Sequence, residues 1–403
     1  MRLPCNQVAG ADSNGGTIYM DFGFTEEQQR FREEIADFCR NTPRYPLADL
    51  FEEAFFSPEY YRALAARGWI GLHWPREYGG QGRTWVDLAI FNEEMGYRAT
   101  PIGEIYYGTV GLFGDFCCAH GSEEQKRKYL PRIASGDIRF ARAYTEPDAG
   151  YDLASIQTVA TADGDDYVIN GHKHYTTGAN VADYLLLMAR TEPDAPKEKG
   201  LSFFIVDRRS PGLSVSPMWS VAMRVNEVFL EDVRVPGENL IGERGRAFQY
   251  MDEDPHFRYE TSLGYDLGGA RRLFERLVRA VREDSSLDAR QRLGARHKLA
   301  DIAVDLEMAR LVTYRVAWMR MAGLLPRHEV YVQKLFQGEL DQKLARVGAE
   351  VFGLRGILDM GANYAPLRGV MAVHLRAGLV TILPGSHQVL RNNIARKTLG
   401  LVG

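Results

Sequence analysis

The sequence lacks the features that mark membrane, extracellular and nucleic-acid-binding proteins. It contains no run of about 18 apolar residues, so no transmembrane helix and no membrane partner are predicted. Only 4 of its 403 residues are cysteine, and none lies in a Cys-x-x-Cys pair, which indicates a reduced, cytoplasmic protein without structural zinc. The 49 basic and 53 acidic residues give a net charge of −4, which argues against a nucleic-acid partner.

The common nucleotide-binding and hydrolase signatures are also absent. No Gly-x-Gly-x-x-Gly fingerprint or P-loop occurs, and no Gly-x-Ser-x-Gly elbow occurs. Residues 1–20 carry Gly, Ser and Asn without the apolar stretch of a signal peptide, so we expect a disordered extension there. The remaining length suits two or three globular domains, and a hydrophobic content of 45% is enough to build their cores.

Helical periodicity occupies both ends of the chain. In residues 21–140 an apolar stripe begins next to Thr25, which is a suitable N-cap, and Ser122 with Gln125 can form a capping box. That first stripe consists of Phe24, Phe31, Ile35 and Phe38. In residues 246–403 two longer stripes predict a bundle of long helices. They consist of Leu299, Ile302, Leu306, Ala309 and Thr313, and of Leu335, Leu340, Leu344 and Val347.

Residues 141–245 change to the alternation of β-strands. The segment Thr158–Tyr175 alternates and is interrupted by Asp163-Gly164 and Asn170-Gly171, dipeptides that favour tight hairpin turns. Further strands are predicted over Leu201–Asp207 and Val228–Val235. The zone therefore reads as a small antiparallel β domain.

Two stretches in this β zone contain residues that could bind a cofactor. Ala143–Asp152, at its entry, combines Pro, small residues and hydroxyls, so its irregular backbone could hold a planar polar ring or a pyrophosphate. In Asn170–Ala179 an aromatic residue and a nearby hydroxyl could cover a flat cofactor. Each stretch alone also suits an ordinary turn or a core strand. His172 and His174 would share one face of a strand, but no further ligands cluster nearby, so no metal site is predicted.

Together and in this order, the two stretches resemble those of the acyl-CoA dehydrogenase family. The resemblance extends from Phe24 to Leu401, and its other marks are Trp74–Gly80, Gly121–Gln125, Val228–Pro236 and Arg391–Leu401. It implies an α+β fold with an N-terminal helical domain, a middle antiparallel β domain and a C-terminal four-helix bundle. It also implies an FAD-dependent oxidoreductase of fatty-acid or steroid side-chain metabolism, which oxidises the Cα–Cβ bond of an acyl-CoA thioester.

The resemblance assigns cofactor-binding roles by position. The residues it places at FAD are Tyr144, Thr145, Gly150, Tyr151, Tyr175 and Thr177. The backbone around Tyr144 and Thr145 is expected to hold the flavin ring, and Thr177 to bond its edge near N5. Tyr175 replaces a Trp that is stacked near the flavin, and the following residues are similar to those of actinobacterial, steroid-degrading members. Tyr151 replaces a Ser that contacts the pyrophosphate.

The carboxylate base that this chemistry requires is missing from both of its usual positions. The position before the final helix reads Pro384, and the one at the start of the C-terminal helices reads Arg258. A shift of one or two residues in the second alignment would bring Glu260 to that site, so Glu260 is the predicted catalytic base. Asp254 and His387 are weaker candidates, and His387 is expected to be a satisfied residue at a helix cap.

Two further family motifs are altered, and three hypotheses follow. The Arg-x-x-Phe-Gly motif is absent from Arg282–Gly294, and the Gln-x-x-Gly-Gly motif reads Glu350–Leu354, where Glu350 would repel a pyrophosphate. The chain is an acyl-CoA dehydrogenase with an unrecognised base, a non-catalytic partner in a heteromeric dehydrogenase, or a flavin monooxygenase of the same fold. The implied partners are an acyl-CoA, electron-transfer flavoprotein or a similar acceptor, and a second copy or paralogous subunit.

Overall fold

The structure is a computed structural model. It describes residues 9–11, 17–19, 22–42, 56–219, 224–254, 256–259, 263–358 and 386–401. The chain divides into two compact units. The helical unit comprises Met1–Pro43, Thr84–Thr100 and Ser262–Gly403, and the sheet unit comprises Arg44–Arg83 and Pro101–Thr261.

Helices account for most of the described residues at both ends of the chain. In chain order the α-helices are α1 (Glu26–Asn41), α2 (Pro58–Ala66), α3 (Trp85–Arg98), α4 (Gly103–Tyr107), α5 (Asp115–His120), α6 (Glu123–Ala134), α7 (Ala247–Glu253), α8 (His256–Tyr259), α9 (Tyr265–Glu283), α10 (Ala289–Met321), α11 (Arg327–Phe352) and α12 (His387–Asn393). No helix within these described ranges is long and apolar enough to cross a membrane.

The strands belong mainly to one sheet. They are β1 (Ala9–Ala11), β2 (Thr17–Tyr19), β3 (Phe140–Ala143), β4 (Val159–Asp163), β5 (Asp166–Lys173), β6 (Tyr184–Arg190), β7 (Leu201–Asp207), β8 (Leu213–Trp219), β9 (Arg224–Pro236) and β10 (Leu240–Ile241). The spatial order is β10-β7-β6-β4-β5-β9-β8, with β3 beside β6. β3 and β4 pair with β6 in parallel, which the predicted antiparallel sheet did not include.

The predicted helix starts are confirmed. The hydroxyl of Thr25 accepts the amide of Gln28 at 3.2 Å, and that of Ser122 accepts the amide of Gln125 at 3.2 Å. Each glutamine side chain returns a bond to the cap amide, which completes a capping box. The predicted stripe of α10 is also confirmed, because Leu299, Ile302, Leu306, Ala309 and Thr313 are all buried.

In the helical unit α3 packs closely against α9. An added Cβ at Gly268 would lie 1.9 Å from the carbonyl oxygen of Glu93, and one at Gly96 would lie 1.9 Å from that of Tyr265. Only glycine therefore permits the two backbones to approach this closely. The sequence shows the two glycines but not the contact between them, since they lie far apart along the chain.

Two buried carboxylates on α3 join four helices of the same unit. Arg32 of α1 forms an ion pair with Glu93 at 2.7 Å and donates to Glu94 at 2.8 Å. Arg271 of α9 also pairs with Glu93, and the hydroxyl of Tyr314 on α10 donates to it at 2.6 Å. Each buried charge thus has a partner, as burial requires.

One of the two predicted turns is correct and the other is wrong. The Asp163-Gly164 turn joins β4 to β5, and Gly164 has φ +63°. Asn170-Gly171 lies inside β5, where the register with β9 shifts between Ile169 and Gly171. A Cβ at Gly171 would lie 2.3 Å from the Thr158 hydroxyl, so this glycine serves a close contact rather than a turn. A short antiparallel pairing of β1 with β2 also occurs where the sequence predicts no regular structure.

Candidate functional site

The loop that follows β3 forms one side of the candidate site in the sheet unit. The Tyr144 side chain is buried, and its ring centroid lies 5.2 Å from that of Phe203 on β7. Burial raises the pKa of its phenol, so this ring stays neutral. The amides of Glu146 and Ala149 donate to each other's carbonyl oxygens at 3.3 and 3.2 Å, which closes the loop into a tight turn.

The end of β5 forms the other side and contacts the first directly. The amide of His174 donates to the carbonyl oxygen of Thr145 at 2.8 Å. The next residue, Tyr175, has φ +53° and is 50% exposed, and Thr176 then donates its amide to the carbonyl oxygen of Asn226 at 2.8 Å. Because a positive φ is costly for a residue with a large side chain, the surrounding bonds hold Tyr175 in a strained conformation.

A buried ion pair lies under both stretches. Lys173, the last residue of β5, is 0% exposed, and its Nζ donates to Glu146 Oε1 at 2.8 Å and to the carbonyl oxygen of Tyr144 at 3.0 Å. Burial lowers the pKa of Lys173 to about 8, although the nearby Glu146 opposes that shift. The ammonium is therefore mainly charged at neutral pH.

Glu146 uses both of its carboxylate oxygens. Oε2 accepts the amide of Gln157 at 2.7 Å, and Oε1 accepts the amide of Thr158 at 2.9 Å and its hydroxyl at 2.5 Å. Burial opposes the charge, but Lys173 and these hydrogen bonds together hold the pKa of Glu146 below its usual value. This single carboxylate thus fixes the loop, the segment before β4 and the end of β5 to one another.

The polar groups left over fit the edge of a flavin ring. The amide of Thr145 has no partner within the described residues, and the hydroxyl of buried Thr176 has none there either. Thr177 is half-buried beside them. Such donors and hydroxyls suit an isoalloxazine edge, where hydrogen-bond donors and acceptors alternate. Gly150 and Tyr151 lie at the exposed rim of the loop, and the Tyr151 side chain is 66% exposed.

His172 of β5 and His174, the first residue after that strand, both lie near one carboxylate. His172 Nε2 lies 3.1 Å and His174 Nε2 lies 3.4 Å from Glu227 Oε1, so both rings lie on one face as the strand pattern predicts. Within the described part of the chain no group of His, Cys, Asp and Glu side chains could hold a metal ion.

The structure describes only some of the candidate positions for the catalytic base. Glu260 and Pro384 lie outside the described residues, and Arg258 is described only as a backbone position of α8. The expectation for His387 is wrong, because Ser386 caps α12 by accepting the amide of Val389 at 3.3 Å, whereas His387 Nε2 is buried without a partner in the described ranges. Burial lowers the pKa of His387, which leaves it neutral near pH 7.

A buried polar cluster that sequence reasoning missed anchors α8. The Asp115 carboxylate accepts His73 Nε2 at 2.8 Å, Trp74 Nε1 at 2.7 Å and His256 Nε2 at 2.9 Å. Although burial opposes its charge, the two histidines hold the pKa of Asp115 well below the usual range. The segment that contains Arg258 is therefore fixed at its first residue.

The altered motifs have local explanations within the helical unit. The Glu350 carboxylate pairs with Lys298 of α10, an ion pair in which both side chains are about half exposed. In the Arg282–Gly294 region, Arg292 donates to the carbonyl oxygens of Val281 and Leu287 at 2.9 and 3.1 Å. That guanidinium holds the turn between α9 and α10 together.

Comparison with protein families gives a consistent assignment along the chain. Residues 25–137 match the model described as "Acyl-CoA dehydrogenase, N-terminal domain". Residues 141–233 match the middle domain and residues 261–399 the C-terminal domain of the same family. The three models together span well over half of the sequence.

Individual relatives agree along nearly the whole chain. Acyl-CoA dehydrogenase FadE26 of Mycobacterium tuberculosis is 31% identical over 399 residues, which cover 95% of this chain and 99% of that protein. A solved structure described as "Tcur3481-Tcur3483 steroid ACAD" has 32% identity and a TM-score of 0.85, covering 95% of this chain and all of its own. The ChsE4-ChsE5 complex from M. tuberculosis has 31% identity and a TM-score of 0.83, with coverage of 95% and 100%.

Proposed function

Because the chain belongs to the acyl-CoA dehydrogenase family, an FAD-dependent family of oxidoreductases, we propose that it catalyses α,β-dehydrogenation of an acyl-CoA thioester. FAD, when bound, accepts the hydride that leaves Cβ. The protein must then hold the flavin, orient the thioester and remove the α proton. Two solved structures described as a steroid ACAD and a variant of it suggest a steroid or other bulky acyl group for this chain.

One observation supports this proposal most strongly. Two stretches that lie about 30 residues apart in sequence meet through the bond from His174 to Thr145 and through Lys173. The meeting leaves the Thr145 amide and the Thr176 hydroxyl without partners in the described residues. Without a ligand there, the buried Thr176 hydroxyl would stay unsatisfied, at a cost of about 1–3 kcal/mol. The Thr145 amide belongs to a half-buried residue and would be left to water or to a ligand.

The proposed residue roles follow from this arrangement. Tyr144, Thr145 and Gly150 would supply backbone contacts to FAD, and Thr177 would bond the flavin edge with its hydroxyl. Tyr175, strained and half exposed, would lie against the ring, and Tyr151 would lie at the exposed rim of the loop near the pyrophosphate. Glu260 would remove the α proton.

Replacing Glu260 by Gln should lower turnover at least about 100-fold while the flavin content stays constant, whereas Glu253→Gln should leave both unchanged.

A second role is favoured by the heteromeric name of a relative, the ChsE4-ChsE5 complex. Here the chain would work with a paralogous subunit that supplies the missing base, in line with Arg258 and Pro384 at the family positions. Electron-transfer flavoprotein or a similar acceptor would reoxidise the flavin, whether the chain works alone or with the paralogous subunit.

Purification of the chain alone, and after co-expression with a paralogous subunit, tests the proposal. The account predicts a yellow protein that oxidises acyl-CoA with ferrocenium as the acceptor. Flavin and turnover in the lone chain exclude the need for a partner, and flavin that appears only on co-expression establishes the heteromeric form. Colourless protein in both preparations contradicts the proposed function.

A further inference from the structure

We propose that the buried pair of Lys173 and Glu146 is a positioning device for the flavin, which orients the peptide groups of Tyr144 and Thr145 toward the ring. This inference rests on the proposed function, since it concerns how the chain prepares its FAD site. Neither residue is expected to touch substrate, so both act through the backbone that they hold.

The peptide between Tyr144 and Thr145 has its orientation fixed by Lys173. Nζ of Lys173 donates to the Tyr144 carbonyl oxygen at 3.0 Å. In a trans peptide the following N–H points to the opposite side from that carbonyl group. The Thr145 amide is therefore directed away from the ammonium, and it is the amide that has no partner in the described part of the chain.

The next peptide is fixed from the same strand. The Thr145 carbonyl oxygen accepts the amide of His174, and the Glu146 amide on the opposite side bonds the Ala149 carbonyl oxygen. Two consecutive carbonyl groups thus bond to β5 and the residue that follows it. Of the two peptide N–H groups, only that of Thr145 stays available to a ligand. The site therefore has a defined direction for hydrogen bonding.

The pair is poorly explained as a device for stability alone. Removing an ammonium and a carboxylate from water costs several kcal/mol per ion, and well-packed apolar residues often replace such pairs without loss of stability. Here the charges sit where the two candidate flavin stretches meet, and Glu146 spends its other bonds on Gln157 and Thr158. Rigid placement of a loop before ligand arrives raises affinity by reducing the cost of ordering.

A double substitution tests this role without leaving an unpaired charge. Lys173→Met combined with Glu146→Gln removes both charges and keeps one carbonyl acceptor, which can serve Thr158 although the amide of Gln157 loses its partner. We expect a folded protein by circular dichroism and gel filtration, with FAD affinity about ten-fold or more below wild type in a flavin fluorescence titration. The flavin absorption bands should also shift, because the ring edge loses its aligned amide. Lys128→Met, which breaks an exposed pair with Glu238, is the matched control and should bind FAD like wild type.

The pH profile of the wild-type protein gives a readout independent of any variant. Within the described residues Glu146 is the charged group that acts on Lys173. If FAD binds best to the charged pair, affinity is constant below about pH 8 and falls above it, by up to about ten-fold per pH unit, as Lys173 loses its proton. The double variant should lack this step.

The outcomes separate the two proposals. Equal FAD affinity in wild type and a folded double variant overturns the positioning role and leaves the proposed function standing. If the double variant does not fold, a wild-type affinity that stays constant from about pH 7 to about pH 9 overturns it instead. A wild-type chain that holds no FAD in any preparation overturns the proposed function and this inference together.

Discussion

At the scale of single residues, the Asp115 carboxylate shows how one buried acid can fix a site segment. It accepts three hydrogen bonds from side chains that lie up to 141 positions away in sequence. Its charge is stabilised by His73 and His256, so the carboxylate and its donors form one unit. Loss of the acid would leave buried donors without their acceptor.

Asp115→Asn should therefore lower the free energy of unfolding by about 3 kcal/mol, since one amide cannot accept all three bonds as a carboxylate does. Urea denaturation followed by circular dichroism measures the effect. Asp165→Asn is the control, because that side chain is exposed in the β4–β5 turn, and it should change stability by less than about 0.5 kcal/mol. Equal stability of the two variants would contradict the role given to Asp115.

Burial of Lys173 marks the limit of residue-level prediction from sequence. A lysine in an alternating strand reads as a solvent-facing position, because its partner Glu146 lies 27 residues earlier and no local pattern joins them. The pair becomes visible only when β5 and the loop after β3 meet. The family motifs indicate the two stretches, whereas the contacts that fix them to each other are tertiary.

At the scale of elements, the crossing of α3 and α9 offers a matched pair of glycines. A Cβ at Gly268 would lie 1.9 Å from the Glu93 carbonyl oxygen, whereas one at the adjacent Gly269 would meet nothing within 4 Å. Both residues lie within the same helix, so the intrinsic preference for alanine over glycine is the same at the two sites.

Gly268→Ala should lower the free energy of unfolding by about 1–3 kcal/mol or more, because the helices must move apart. Gly269→Ala should instead raise it by up to about 1 kcal/mol. Urea denaturation of the two variants beside wild type measures both signs. Destabilisation by Gly269→Ala, or tolerance of Gly268→Ala, would contradict the close crossing.

Elements with a strong local signal could be predicted from the sequence. The caps at Thr25 and Ser122 and the strand Leu201–Asp207 all occur where the pattern indicates. The turn predicted at Asn170-Gly171 was wrong. The dipeptide favours a turn locally, but close contact with Thr158 requires a glycine within the strand. Local chemistry thus decides an element unless a tertiary contact competes for the same residues.

At the scale of the whole molecule, the three-part order of helices, sheet and helices agrees with the family that the motifs resemble. The same order also accommodates two chemistries and a non-catalytic role, because the fold alone does not determine the function. On the proposed account, the distinction between a dehydrogenase, a non-catalytic partner and a monooxygenase depends on a few side chains, and Glu260 is the first of these to test. Because the fold is common to all three alternatives, identifying the reaction product distinguishes them better than further comparison of folds.

The mass of the acyl-CoA product is the most direct test of the central claim. Holoprotein, alone or with its paralogous subunit, is incubated with acyl-CoA thioesters and ferrocenium, and the masses of the products are measured by mass spectrometry. The account predicts a product that has lost two hydrogen atoms, in amounts that fall sharply with Glu260→Gln if the lone chain is active. A product that gains an oxygen atom, or unchanged thioester from flavin-loaded protein in both preparations, would contradict it.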